Sequence, residues 1–179
     1  PVFQAPSLHK YDASSFHHVD PSFGPDRAGD LKRLAEARET EDPATWIWTK
    51  ADVFLLKLIQ EVHRRGMRII LDGVFNHTGR EFFAFKDLLE NGKKSRYRTW
   101  YKLKHWNPDG TFDYEGWFGH AALPELARTE NDLIAPVRKY VFDITRRWMD
   151  PDGDGDPSDG IDGWRLDVAF CVPHGFWKK

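Results

Sequence analysis

Two short apolar runs that end in charged or polar side chains, each preceded by an amphipathic segment of helical period, predict an α/β protein. The architecture they fit is part of a (β/α)8 TIM barrel with a small irregular excursion after its third strand. The first run is Ile69-Ile70-Leu71-Asp72-Gly73-Val74-Phe75-Asn76-His77 and the second is Gly163-Trp164-Arg165-Leu166-Asp167-Val168-Ala169. A strand covered on both faces normally stays apolar to its end. A buried Asp costs on the order of several kcal/mol to desolvate unless it is paired. In a barrel of this kind the active site is built at the C-terminal ends of the strands, so the polar endings and the fold support each other.

Taken in order, the stretch from Pro1 to about Leu31 is dense in Pro, Gly, His and Asp and shows no sustained period, so it reads as a long loop after the tail of a strand at Pro1-Val2-Phe3. From Thr49 the pattern turns helical. Thr49 is the N-cap, Asp52 stands three residues on, and Leu55, Leu58, Ile59 and Val62 recur at helical spacing until Gly66 ends the segment. The first strand follows at once. Between about Gly79 and Arg128, Gly and Pro interrupt a run rich in Phe, Tyr and Trp, which predicts a small irregular excursion. A second amphipathic helix is expected from about Asp132 to Met149, followed by an acidic turn, Asp150 to Pro157, and then the second strand. The expected division is therefore a barrel segment over 1–78, an excursion domain over 79–128 and a barrel segment over 129–179. A whole barrel takes roughly 250 residues. With two clear strands in 179 residues, the chain is expected to be a fragment that folds poorly alone.

Composition narrows the partners. The formal net charge of −2 comes without a basic patch, which argues against nucleic acid, and no apolar run approaches the length of a membrane span. The single cysteine, Cys171, allows no intrachain disulfide and no Cys/His zinc spacing. Aromatic content is 15%, with eight Trp, several in loops rich in Gly, Asp and Asn, where a ring serves either as core or as a platform for a sugar face. Trp100, Trp106 and Trp117 are expected in the core of the excursion, and His9, His17, His18 and His105 in loops or on the surface.

Strand alternation puts Arg165 and Asp167 on one side of the second strand, and Asp72 on a matching side of the first. If the strands are near each other, one Arg neutralises two carboxylates. That arrangement keeps Asp167 ionised as a nucleophile, or it is a structural ion-pair cluster; spacing does not choose. The acidic turn has two readings as well. Asp150, Asp152, Asp154 and the Asp156 carbonyl follow the first half of a calcium loop, but Ile161 stands where a bidentate Glu would be required, and an Asp/Gly/Pro turn after a helix explains the same residues. No organic cofactor is expected.

The two strand motifs resemble the first and second signature motifs of the α-amylase family of glycoside hydrolases. Pro6-Ser7-Leu8-His9-Lys10-Tyr11-Asp12 is similar to that family's loop after its second barrel strand, and Leu123-Pro124-Glu125-Leu126 resembles its additional motif in the excursion domain. The nearest subgroup is that of neopullulanases, cyclomaltodextrinases and maltogenic amylases. The resemblance implies a retaining hydrolase or transglycosylase of α-linked glucans. It implies Asp167 as nucleophile, Arg165 as its support and Asp72 as support for Arg165. His77 would hydrogen-bond the sugar at the cleavage subsite and Tyr11 would stack on it. The acid/base Glu and a third carboxylate would come from later strands, so the fragment alone would be inactive. Asn76 lies where many members bind a structural calcium, a site that the nearest subgroup often lacks. Phe170 and Cys171 replace the Lys-His pair that many members carry, and linkage specificity stays open. The alternatives are a non-catalytic homologue with a binding or assembly role and a calcium-stabilised carbohydrate-binding module.

Overall fold

The helix that leads into the first strand is capped twice over. The Asp52 N–H donates to Thr49 Oγ1 at 3.1 Å while the Thr49 N–H donates to the Asp52 carboxylate at 2.9 Å, a reciprocal box that satisfies two of the donors orphaned at a helix start. Buried Asp30 then accepts the backbone N–H groups of Lys50 and Ala51, both at 2.8 Å. Its negative charge suits the positive end of the helix dipole.

The computed structural model describes all of residues 1–179. Its elements are α1 (Arg27–Glu36), α2 (Lys50–Arg64), β1 (Ile70–Gly73), α3 (Phe83–Asn91), β2 (Leu103–Trp106), β3 (Phe112–Tyr114), α4 (Ala135–Met149) and β4 (Gly163–Leu166), with short 3₁₀ turns between them. Strands β1 and β4 lie side by side although the excursion and α4 separate them in sequence; β2 and β3 form a separate antiparallel hairpin. No helix is long and apolar enough to cross a membrane.

The chain divides into two compact units. The first comprises Pro1–Gln4, Ser15–Gly73 and Tyr140–Arg165. Its centre is aromatic: Phe3 meets Phe16 edge-on at 6.0 Å and Trp148 at 5.8 Å, and all three rings are buried. Trp148 satisfies its indole N–H on the Phe16 carbonyl at 2.9 Å, which is how so large a polar-tipped ring can be fully enclosed. Leu55 and Ile59 of α2, Leu71 of β1 and Ile144 of α4 complete this core.

The second unit comprises Ala5–Ser14, Val74–Lys139 and Leu166–Lys179. Phe82, Phe85 and Leu88 at the start and along α3 are fully buried, with Phe85 edge-on to Tyr101 at 4.7 Å and to Tyr114 of β3 at 4.9 Å. Residues 79–128 are thus more ordered than their Gly and Pro content predicts, because aromatic packing on α3 supplies a core.

Two further expectations change. The opening loop ends before Leu31, since α1 begins at Arg27 with Asp26 accepting the Gly29 N–H at 3.0 Å. α1 is a largely polar helix with only Asp30 buried, so it carries little hydrophobic period to be read. His17 and His18 lie in a loop, as expected, but not on the surface: they are 2% and 1% exposed and lie in a network of ion pairs.

Candidate active site

In the first unit, Asp72 of β1 and Arg165 of β4 face each other. Arg165 Nη1 donates to both carboxylate oxygens of Asp72, at 2.8 and 3.0 Å. Adjacent strands carry the two side chains, so the pairing follows from β1 lying beside β4.

In the second unit a pocket of about 330 Å³ is lined by His9, Tyr11, His77, Trp117, Asp167 and Val168, among others. Three segments far apart in sequence build it. Tyr11 comes from the 5–14 loop, where Lys10 takes φ +64° and the Tyr11 N–H donates to His9 Nδ1 at 3.1 Å, with the two rings stacked at 6.0 Å. That loop is held by the Gly79 N–H donating to the Ala13 carbonyl at 2.8 Å. Asp167 enters from the end of β4. The strand stops at Leu166, and Val168 is left-handed, with φ +43° and ψ +40°. A β-branched residue there costs about 1–3 kcal/mol, a cost found most often where a site constrains the chain. Regular alternation therefore ends before Asp167.

His77 is held from the opposite side. It bridges to Glu125, while the Thr78 N–H donates to the Pro124 carbonyl at 3.1 Å and the Leu126 N–H to the Asn76 carbonyl at 3.0 Å. Buried Asn76 then fixes the ring. Arg128 Nη2 donates to Asn76 Oδ1 at 2.8 Å, so the Asn76 amide nitrogen is the group that meets His77 Nδ1, at 3.1 Å. An amide N–H can only donate. Nδ1 is therefore the acceptor, the ring proton sits on Nε2, and buried Nε2 has no hydrogen-bond partner of ordinary geometry. Burial pushes the His77 pKa down to about 4, and the nearby Asp167 carboxylate and Tyr11 backbone, which favour the charged ring, offset only part of that. At neutral pH the site holds a neutral imidazole beside the Asp167 side chain.

Of the expected residues, Tyr11, His77 and Asp167 come together in this pocket, while Asp72 and Arg165 pair in the first unit. Trp100 is buried as expected, and Trp106 packs on Phe112 at 5.2 Å. Trp117 is different: its ring lies 5.6 Å from His77 in the pocket wall, and its buried indole N–H has no partner. Sequence reasoning also missed Arg128, whose part depends on a hydrogen bond to a residue fifty-two positions away. His105 pairs with Asp113 across the hairpin, at 3.0 Å.

The acidic turn belongs to the first unit. The carboxylates that converge there are those of Asp150, Asp152 and Asp159, with one oxygen of each within 4.8 Å of the others. Asp154 and Asp156 spend a carboxylate oxygen on backbone N–H groups, of Asp156 at 2.7 Å and Ser158 at 3.0 Å. Asp150 and Asp152 likewise accept backbone N–H groups, of Gly153 and Gly155 and of Asp154, so all four expected residues shape the turn, and Asp159 is the carboxylate that the expectation did not include.

A pocket that sets histidine and aromatic rings around one carboxyl group at the end of a strand, in a chain built from helix-to-strand steps, fits a barrel-type α/β protein. Residues 49–176 match the α-amylase catalytic domain family. The chain is 39% identical to neopullulanase 2 of Thermoactinomyces vulgaris, over all of this chain and 25% of that protein, and 36% identical to an intracellular maltogenic amylase of Bacillus subtilis, over 99% of this chain and 24% of that one. Among solved structures, a debranching enzyme from Nostoc punctiforme superposes with a TM-score of 0.70 at 33% identity, over 99% of this chain and 30% of that one. The chain belongs to the α-amylase family and carries part of its (β/α)8 catalytic barrel. It spans about a quarter of the length of the curated relatives it matches.

Proposed function

We propose that the chain is part of a retaining glycoside hydrolase or transglycosylase that acts on α-linked glucans such as starch, maltooligosaccharides, cyclodextrins or pullulan. The observation that carries this reading is the shared pocket of Asp167, His77 and Tyr11 in a member of the α-amylase family. Asp167 attacks the anomeric carbon as the glycosidic bond breaks and its oxygen leaves with a proton from the acid/base carboxyl group; water or a sugar hydroxyl, giving its proton back to that carboxylate, then resolves the glycosyl-enzyme. A retaining mechanism needs an acid/base carboxyl group about 5–5.5 Å from the nucleophile, and in this family it comes from a later strand. Arg165, oriented by its two bonds to Asp72, takes the role of supporting residue that the family likeness gives it. His77 donates Nε2–H to a sugar hydroxyl, a role that suits a ring kept neutral by burial, and Tyr11 stacks on the sugar face. Residues 79–128, with their own hairpin and aromatic core, act as the excursion domain that walls the site.

The test is Asp167→Asn in the full-length protein. Turnover of maltooligosaccharides should fall by on the order of 10³-fold or more with a much smaller change in KM, since the lost interaction is made in the transition state. An unchanged kcat would contradict the assignment.

The acidic turn supports a second site, for calcium. The convergence of Asp150, Asp152 and Asp159 suits a hard cation. Asp159 fits best: one of its carboxylate oxygens is buried without a partner, and its pKa is raised by burial and by the charge of Asp152. Calorimetric titration with calcium should show binding that Asp159→Asn weakens at least tenfold; no binding would remove the site.

A further inference from the structure

The pair of adjacent histidines, His17 and His18, lies outside the pocket and is used by none of the chemistry above. His18 has a carboxylate at each end of its ring: Nδ1 is 2.8 Å from Asp52 Oδ2 and Nε2 is 2.7 Å from Glu39 Oε2. A carboxylate can only accept a hydrogen bond, so both ring nitrogens must carry protons. A neutral ring would aim a lone pair at one of two buried anions. His17 differs. Its Nε2 meets Glu39 at 3.3 Å and its Nδ1 meets the Tyr140 hydroxyl, which can donate, at 2.8 Å, so a neutral ring satisfies both contacts.

The charges facing His18 come from every neighbouring element. Glu39 lies on the connecting strap between α1 and α2, residues 37–49; Asp52 is on α2; Arg147, on α4, lies 3.5 Å from Asp52; His17 precedes it in the chain. With His18 charged and His17 neutral, two anions and two cations balance. With His18 neutral, one negative charge is left buried and unmatched, an expensive state.

The strap depends on this balance. Glu39 reaches from His17 and His18 to the Ile47 N–H at 2.6 Å and so ties the strap to itself. Trp46 stacks on His17 at 4.4 Å and an interplanar angle of 3°, and Arg147 lies over Trp48 at 3.7 Å and bonds the Ile47 carbonyl. We propose that His18 is a buried imidazolium that clamps the 37–49 strap to α2 through Glu39 and Asp52, and that loss of this one proton releases the strap: a pH-operated latch. The direction of the His18 pKa agrees. Burial alone would lower it, but the hydrogen bonds to Asp52 and Glu39 prevail and raise it above the ordinary value. A folded-state pKa above the unfolded one means that the latch holds at neutral pH and opens as pH rises through the folded value. The cluster is not arranged as a metal site. Two ligands of one tetrahedral ion stand roughly 3.3 Å apart at ordinary bond lengths, and the 2.7 Å between His18 and Glu39 is a hydrogen bond.

Hydrogen exchange of the full-length protein, read by mass spectrometry from pH 6 to 9.5 and corrected for intrinsic rates, tests the latch. Protection of the 37–49 strap should be constant below the ordinary imidazole value of 6.5, fall by up to about tenfold per pH unit from there, and break to a level plateau at the folded His18 titration point. Glu39→Gln, which removes one anion and keeps the shape, should move that break to lower pH. His18→Gln should lower strap protection about 100-fold at neutral pH and abolish the break. Strap protection independent of pH in the unmodified protein would overturn the proposal, as would a Glu39→Gln break at unchanged pH. One equivalent of a transition metal in the purified protein, with strap protection lost on chelation, would overturn it too.

Discussion

Arg165 Nη1 donates to both carboxylate oxygens of Asp72, at 2.8 and 3.0 Å. A guanidinium carries five donors in a planar fork, which lets one Arg engage two carboxylates. Arg165→Lys keeps the charge and loses the fork. In the full-length protein it should reduce kcat by about 10 to 100-fold with the fold intact by circular dichroism; a kcat within twofold of the unmodified protein would remove Arg165 from the mechanism.

Gly79 is required by space. A Cβ built there would lie 2.2 Å from the Asp12 carbonyl oxygen, within the loop that carries Tyr11. Gly79→Ala should push that loop away and raise KM about tenfold, with a smaller change in kcat, because stacking on the sugar contributes to ground state and transition state alike. Steady-state kinetics on maltooligosaccharides reads the split.

Two histidines make the protein sensitive to acid. His77 and His17 are both held down to about 4, chiefly by burial, against an ordinary value of 6.5. Because their folded pKa values are lowered, the unfolded chain binds more protons in this interval, and stability falls as pH drops from 6.5 towards 4. Each contributes up to about 3 kcal/mol to that loss. Denaturation midpoints measured across this range should fall steeply, and His77→Gln should flatten the slope; an unchanged slope would mean that His77 does not titrate this way.

The cap of α2 gives a stability prediction free of the catalytic reading. Thr49 is fully buried and its hydroxyl accepts the Asp52 N–H. Thr49→Ala should cost about 1–2 kcal/mol in urea denaturation.

The sequence made the start of α2 legible, with Thr49 and Asp52 announcing the cap, and half of its face: Leu55 and Ile59 are buried, while Leu58 is 46% exposed and Val62 only half-buried. Both barrel strands were legible because apolar runs ended in Asp72 and Asp167, which no core strand needs. Tyr11, His77 and Asp167 came through motif likeness, and the structure brings them to one pocket. What stayed hidden depends on contacts distant in the chain. The tautomer of His77 follows from Arg128 through Asn76, and the burial of His17 and His18 follows from Glu39, Asp52 and Arg147 closing round them. α3 was masked by the Gly and Pro residues that flank its aromatic core. The left-handed turn at Val168 has no local signal at all, since a β-branched residue is among the least suited to it.

The central claim, that Asp167 is the nucleophile, is tested most directly by trapping the intermediate. The full-length protein would be incubated with a fluorinated α-glucosyl fluoride whose glycosyl-enzyme breaks down slowly, then digested and sequenced by mass spectrometry. The account predicts one added glycosyl group, in ester linkage to Asp167, on the peptide containing Trp164 to Phe170. A label on any other residue, or stoichiometric inactivation of an Asp167→Asn variant by the same reagent, would contradict it.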